Sequence, residues 1–319
     1  MCSSDLSGEW NSADDAGRTR ASAWVVRSRL NLFSNFTYFL NNPVNGDQFE
    51  QVDRRTVAGG EVARSWATPL DGRQVEHTAG ARLRLDDIGQ VGLFNTVART
   101  RIGTVRSDAV RLSSLGLHYQ ASVPWNSWLR GQVGLRGDAV RMRVASDNPA
   151  NSGSAGGALL SPKLGLVFGP WAETELFANY GRGFHSNDAR GATISVDPAT
   201  GAPAARTNPL SRSRGGELGL RTAPLRGLRA AVALWRLDLD SELVFAGDAG
   251  TTSTSNRSSR RSGVEWSAAY QPARLVAFDA DLTLSRARFV GVDPATPGNH
   301  VPGAMERTAS AGASYGKIG

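Results

Sequence analysis

The sequence predicts an all-β chain that forms part of a transmembrane antiparallel β-barrel, and three observations carry that prediction. Apolar and polar residues alternate with a period of two from end to end, whereas on an extended chain successive side chains point to opposite faces. The connections between alternating segments are short and long by turns. No stretch approaches the roughly 18 uninterrupted apolar residues that a membrane-spanning helix needs, so any crossing of a bilayer falls to strands.

Each element follows from the same rule. In the middle of the chain Leu129, Val133 and Leu135 oppose Arg130, Gln132 and Arg136. In "LRAAVALWRLDLDSELVF", Trp235, Leu237, Leu239 and Leu243 share one face while Arg236, Asp238, Asp240 and Glu242 share the other. Val264, Trp266, Ala268 and Tyr270 oppose Glu265 and Ser267. In "LVAFDADLTLSRARF", Val276, Phe278, Ala280, Leu282 and Leu284 oppose Asp279, Asp281, Thr283 and Ser285. About twelve strands result, with the apolar residues expected outward and the charged ones expected to line the lumen or face a plug.

Short turns are read at residues 69–72, 123–126, 169–171, 223–227 and 271–274. Between them long polar loops are expected over 89–106, 146–157, 183–213, 247–257 and 291–303, rich in Gly, Asn, Asp, Ser, Thr and Pro. Long strands with short turns at one end and long loops at the other are the pattern of outer-membrane barrels. A soluble sandwich or propeller also alternates. Its strands are shorter, however, and nothing in it makes turn lengths alternate. Trp125, Trp128, Trp171, Tyr180, Trp266 and Tyr270 fall near predicted strand ends, where interfacial aromatic girdles belong.

The 319 residues carry a formal charge of +7, almost wholly on arginine, since Lys163 and Lys317 are the only lysines. Cys2 is the single cysteine and no charged segment with an apolar run precedes it. Its context, "MCSSDL", and the final "KIG" are spelled by the codons of a common sequencing adapter. Residues 1–6 and 317–319 are therefore expected to be translated adapter, flanking a chain truncated at both ends.

The stretch "ANYGRGFHSNDARG" (178–191) gathers His, Ser, Asn, Asp and Arg. Alternation sends His185 and Asn187 one way and Ser186 and Asp188 the other, which argues against a preformed triad. No nucleophile, base and orienting group stand at credible spacing, so an enzyme is not expected. His77, His118 and His300 lie far from His185 in sequence and no close-spaced ligand pair exists, so no metal site is expected. The glycines of "GRGFHS" lack the third glycine and the following helix of a dinucleotide loop. No cofactor and no nucleic-acid partner are expected.

At the top of an upward strand this segment reads instead as an extracellular loop. Five arginines (Arg182, Arg190, Arg206, Arg212, Arg214) stand against Asp188 and Asp197. Phe184, His185, Asn187, Arg190, Arg206, Arg212 and Arg214 are the candidate ligand contacts, and an anionic ligand such as a ferric chelate suits their forked donors. Lipopolysaccharide phosphates are the competing occupant of the same arginines.

"SPKLGLVFGPWAETELFANYGRGFHSNDARGA" followed by "GGELGLRTAPLRGLRAAVALWRLDLDSELVF" resembles the barrel of TonB-dependent outer-membrane receptors, and "NLFSNFTYFLNNPVNGDQFEQVDRR" and "LRLDDIGQVGLFNT" are similar to its earlier strands and loops. The resemblance covers residues 8–316 and says nothing of the substrate. It implies a barrel of about 22 strands, a plug, a bacterial outer-membrane location and uptake driven by the TonB complex. Plug, TonB box and a C-terminal strand ending in an aromatic residue are not among these residues. A receptor importing a scarce nutrient, most simply a ferric siderophore, is thus expected; a passive porin and an outer-membrane enzyme are the alternatives.

Overall fold

A computed structural model of the chain describes residues 2–246, 251–255, 257–291 and 298–316. Thirteen strands form one antiparallel sheet in which neighbours in sequence are neighbours in space. They are β1 (Cys2–Asp14), β2 (Gly17–Ser34), β3 (Phe49–Leu70), β4 (Arg73–Val97), β5 (Thr100–Asn126), β6 (Leu129–Ser146), β7 (Gly153–Trp171), β8 (Thr174–Ser186), β9 (Leu210–Thr222), β10 (Leu228–Leu239), β13 (Ser259–Ala273), β14 (Val276–Phe289) and β15 (Arg307–Tyr315). A separate hairpin, β11 (Glu242–Ala246) with β12 (Thr251–Ser255), stands on the β10–β13 connection. β1 and β15 do not pair, so the sheet is open.

Two cross-strand rows identify the face that meets lipid. Leu83 lies opposite Leu115, and Leu115 opposite Ala139. Farther along, Ala178, Leu218, Leu234, Val264 and Leu284 oppose one another in turn across β8, β9, β10, β13 and β14. Leu117 is 56% exposed, Leu160 69%, Leu218 62% and Leu234 57%. A continuous apolar surface of this extent has no place in water, and in a bilayer it is the outward band of a barrel wall. The opposite face carries Glu217, Glu265, Asp279 and Asp281, and is the lumenal one.

The second row corrects the expected facing of β10. Leu234 is paired with Leu218 and Val264, so Trp235, Leu237 and Leu239 point to the lumenal side, and Arg236 and Asp238 share the outward side with Leu234. The cause is that β10 is apolar on both faces near its middle. Its own alternation therefore does not choose a phase, whereas its partners do: the opposite phase for β9 and β13 would drive Glu217 and Glu265 into lipid. Glycine accommodates the inward indole: a Cβ on Gly263 would sit 2.8 Å from Trp235 Cζ2. In β14 the facing is as expected, with Phe278, Leu282 and Leu284 outward and Asp279 and Asp281 opposite.

The connections also differ from expectation in part. Residues 89–106 are not a loop: β4 and β5 continue to a two-residue turn at Ala98 and Arg99, both with positive φ (47° and 66°). Bulges at Ile88/Val91, Leu93/Phe94 and Asn95/Thr96 break the period-two signal there. The expected loops 146–157 and 183–213 shrink to 147–152 and 187–209, their flanks being strand. Loop 35–48 was not anticipated. Of 247–257, residues 247–250 and 256 lie outside the described residues, as do 292–297 of the loop expected at 291–303.

Candidate functional site

The lumenal wall near the loop end is built from paired charges. Within each of four strands an arginine and an aspartate two positions apart share one face: Asp53 and Arg55 on β3, Arg84 and Asp86 on β4, Arg106 and Asp108 on β5, Arg136 and Asp138 on β6. Arg84 Nε donates to Asp86 Oδ2 at 2.9 Å and Arg136 Nη2 to Asp138 Oδ1 at 2.7 Å. Arg101 Nε reaches Glu50 at 2.5 Å, and at the opposite, short-turn end Glu175 sits between Arg130 (2.7 Å) and Arg221 (2.5 Å). These carboxylates are mostly buried while their arginines remain partly open, which gives a polar wall that is close to neutral. The signal is visible in the sequence as repeated Arg–x–Asp spacing on β4, β5 and β6, and as Asp–x–Arg on β3.

The β8–β9 loop folds onto this wall. Asn187 closes its base: its backbone N–H donates to Pro209 O at 3.0 Å and its Nδ2 to Asn208 O at 2.7 Å. Asp188 then caps the single turn α1 (Ala189–Thr193), its Oδ1 accepting from the Arg190 N–H at 2.8 Å, a favoured N-cap arrangement. Ala189 and Ala192 of α1 pack on Val110, Val140, Met142 and Val144 of the inner face of β5 and β6, where Met142 is fully buried. Asn151, at the β6–β7 loop, ties the far side. Its Oδ1 accepts from the backbone N–H of Ser195 and of Val196, and its Nδ2 donates to Val196 O, each at 2.9 Å.

Arg190 Nη2 binds Asp188 Oδ2 at 2.6 Å. Burial works to raise the Asp188 carboxyl, but the hydrogen bond and charge of Arg190 outweigh it and hold the group below its ordinary range. Burial likewise opposes the Arg190 charge, while Asp188, Asp108 and Asp53 raise its affinity for the proton. Asp197 is also held low, by N–H and hydroxyl donors of Thr200 above all.

The candidate ligand residues are therefore not gathered at one point. His185 lies opposite Ser211 on the lumenal side, its Nε2 buried without a partner among the described residues. Phe184 and Arg212 oppose each other on the outward face, and Arg214 lies in the next outward row. Arg190 is neutralised in the docked turn. Arg206 is exposed, and among the described residues its side chain donates to Ser195 Oγ, at 3.4 Å. The charged row of β10 also divides, because the strand ends at Leu239: Arg236 and Asp238 face outward, Asp240 spends its N–H on Arg212 O, and Glu242 turns to Arg261 at 2.8 Å and to Ser259.

A wall of alternating faces, with a loop docked on its polar side, matches a known architecture. A family model described as TonB dependent receptor-like, beta-barrel matches residues 3–318. The chain belongs to the TonB-dependent receptor β-barrel family. Members of this family are transporters of the bacterial outer membrane, not enzymes. Among solved structures, the chain is similar to the unliganded ferric citrate transporter FecA (TM-score 0.78, 14% identity, covering 98% of this chain and 46% of that one). It is similar too to the ferric-catecholate import receptor Fiu from K12 E. coli (0.75, 14%, 98% and 51%). The pyoverdine outer membrane receptor FpvA from Pseudomonas aeruginosa PAO1, bound to pyoverdine, gives 0.69, 13%, 99% and 47%. The TonB-dependent receptor chain thus spans about half the length of these neighbours. No curated protein matches it significantly.

Proposed function

We propose that this TonB-dependent barrel section belongs to an outer-membrane receptor that captures a scarce nutrient, a ferric siderophore in the first instance, and imports it with energy from the TonB complex acting through regions outside this chain. The observation that carries the reading is the family match over residues 3–318, set on a sheet with a lipid-facing apolar belt and a charged inner wall. Neighbours named for ferric citrate, ferric catecholates and pyoverdine support the substrate class.

The docked β8–β9 loop is the ligand-contacting element of this proposal. Loops carried by a rigid scaffold are where binding residues concentrate. Of its arginines, Arg206 is the one whose charge is open to an incoming anion; Arg190 holds the loop in place, and Arg212 and Arg214 face away from the lumen. Lumenal Asp279 and Asp281 are the proposed plug-facing carboxylates.

The test is uptake of iron-55 from a panel of ferric chelates by cells making the intact receptor. At least one chelate should accumulate, and accumulation should stop when TonB is deleted or the proton-motive force is collapsed. Arg206→Gln should slow capture at low salt, with a smaller defect at high salt, because exposed charges are screened within about 8 Å at physiological ionic strength. Accumulation that persists without TonB would replace the proposal with passive diffusion through a porin.

A further inference from the structure

The wall is split between β7 and β8. Their pairing runs in one register from Phe168–Leu176 up to Lys163–Gly181 and stops there, although β7 continues to Gly153 and β8 to Ser186. Beyond that point β7 pairs with β6 alone and β8 with β9 alone. A crevice of about 670 Å³ opens between them, lined by Ala158 and Leu160 of β7, Arg182 and Gly183 of β8 and Arg212 of β9. Residues 153–162 of β7 thus present a free strand edge within an otherwise paired wall. Proteins cover such edges, because backbone N–H and C=O groups need partners.

The β8–β9 loop sits on the inner side of this split. Leu210 Cδ1 comes within 3.4 Å of where a Cβ on Gly157 would stand, and Thr193 Cβ within 3.8 Å of the same point on Gly153. Gly157 is in the row that Asn187 would join if the β7–β8 register ran on, so Leu210 of β9 has taken a place that belongs to β8. Few contacts hold the loop there: Asn151 at the β6–β7 connection, and the packing of Ala189 and Ala192 on β5 and β6. No ion pair joins loop to wall among the described residues. Asp188 pairs with Arg190 within the loop, while Asp53 with Arg55 and Arg106 with Asp108 pair within the wall strands. Both sides also bury polar atoms without a partner, Asn187 Oδ1 and Thr207 Oγ1 on the loop and Arg106 Nη2 and Asp108 Oδ1 on the wall, which lowers the stability of the docked state.

We propose that docking of the β8–β9 loop and pairing of β8 with β7 are mutually exclusive states of one latch. With the loop docked, Leu210 stands beside Gly157 and the seam stays split. With the loop withdrawn, β8 zips onto β7 from Lys163–Gly181 upward in the register already set, which places Phe184 opposite Leu160 and Ser186 opposite Ala158. Leu160, 69% exposed beside the open seam, then gains an apolar cross-strand neighbour, and the free edge of β7 is paired. Gly181 and Gly215 lie opposite each other at the foot of the seam, so no side chain obstructs the movement. Each state satisfies groups that the other leaves unpaired, which makes two discrete positions rather than a continuous drift. The docked loop lies across the lumenal wall, so its withdrawal clears the lumen; that consequence rests on the reading of this wall as part of a transport receptor.

The experiment uses pairs of cysteines in the intact receptor, in a background without other cysteines. G153C/T193C reports the docked loop, since its Cβ atoms would lie 3.8 Å apart, as in a disulfide. L160C/F184C reports the zipped seam, and L164C/Y180C, on directly paired residues below it, is the control that must cross-link. Both reporting pairs should form disulfides, and Asn151→Ala should speed the L160C/F184C cross-link at least about 10-fold, because it frees the loop. In cells, oxidised G153C/T193C should cut uptake of iron-55 from ferric chelates at least about 10-fold, with recovery on reduction, whereas oxidised L160C/F184C should leave uptake within about 2-fold of wild type. Failure of L160C/F184C to cross-link where the control does, a rate indifferent to Asn151→Ala, or full uptake with the loop locked by G153C/T193C would overturn the latch. Wild-type cells that import none of the chelates would count against the substrate reading instead, and the cross-links would still decide between one position and two.

Discussion

Asn151 holds the β8–β9 loop to the lumenal wall through three side-chain hydrogen bonds of 2.9 Å to the backbone of Ser195 and Val196, and is itself only 1% exposed. Asn151→Ala deletes all three. At about 0.5–1.5 kcal/mol net for each bond, the docked state should lose about 2–4 kcal/mol relative to the open loop. The amides of residues 192–200 exchange by local opening, so their exchange should accelerate about 30- to 700-fold, taking about 1.4 kcal/mol per tenfold change. Asn151→Asp keeps both acceptor bonds but sets a buried carboxylate oxygen against Val196 O in place of the donated bond, and should also accelerate exchange. Hydrogen–deuterium exchange read by mass spectrometry on this peptide in the intact receptor gives the answer, with the strand amides of β13 and β14 as an internal control. Equal exchange in wild type and Asn151→Ala would show that the loop is not held by this side chain, and would refute the docking argument.

Loop docking should also depend on pH. The Asp188 carboxyl is depressed in the folded loop, so its contribution is present above the unfolded value of about 3.9 and is lost as the pH falls through the lower folded value; protection of the α1 amides, taken relative to their intrinsic exchange at each pH, should be unchanged from pH 7 to 5 and fall only below about pH 4. A loss of protection already between pH 7 and 5 would assign docking to another group. Gly263→Val should force the Trp235 indole from its place, since the added Cβ alone would lie 2.6 Å from Leu284 O and 2.8 Å from the indole ring; a cost of about 1–3 kcal/mol is expected, read as earlier unfolding with an altered tryptophan emission, and an unaltered emission would count against the inward indole.

Strands with one charged and one apolar face declared themselves. β14 needed nothing beyond its own residues, because Asp279 and Asp281 alternate with Phe278, Ala280 and Leu282. β10 did not, because Ala230, Val232 and Leu234 on one side and Ala233, Trp235 and Leu237 on the other are both apolar, and only its partners β9 and β13 choose between them. The β4–β5 hairpin was hidden by three bulges that interrupt the period. Docking of the β8–β9 loop was illegible for a different reason: Asn151 and Ser195 are 44 residues apart and meet only through the tertiary fold.

The whole account turns on which face of the sheet meets lipid, and β10 is where the two phases can be told apart. Residues 231–236 of the intact receptor, replaced one at a time by cysteine and spin-labelled in liposomes, can be probed with oxygen, which partitions into lipid, and with a water-soluble nickel chelate. Oxygen accessibility should peak at positions 232 and 234, while the nickel chelate should favour 231, 233 and 235, out of phase by one residue. A label at Trp235→Cys that meets oxygen and one at Leu234→Cys that meets nickel would contradict the register, and with it the facing of the apolar belt, the lumenal charge pairs and the outward arginines.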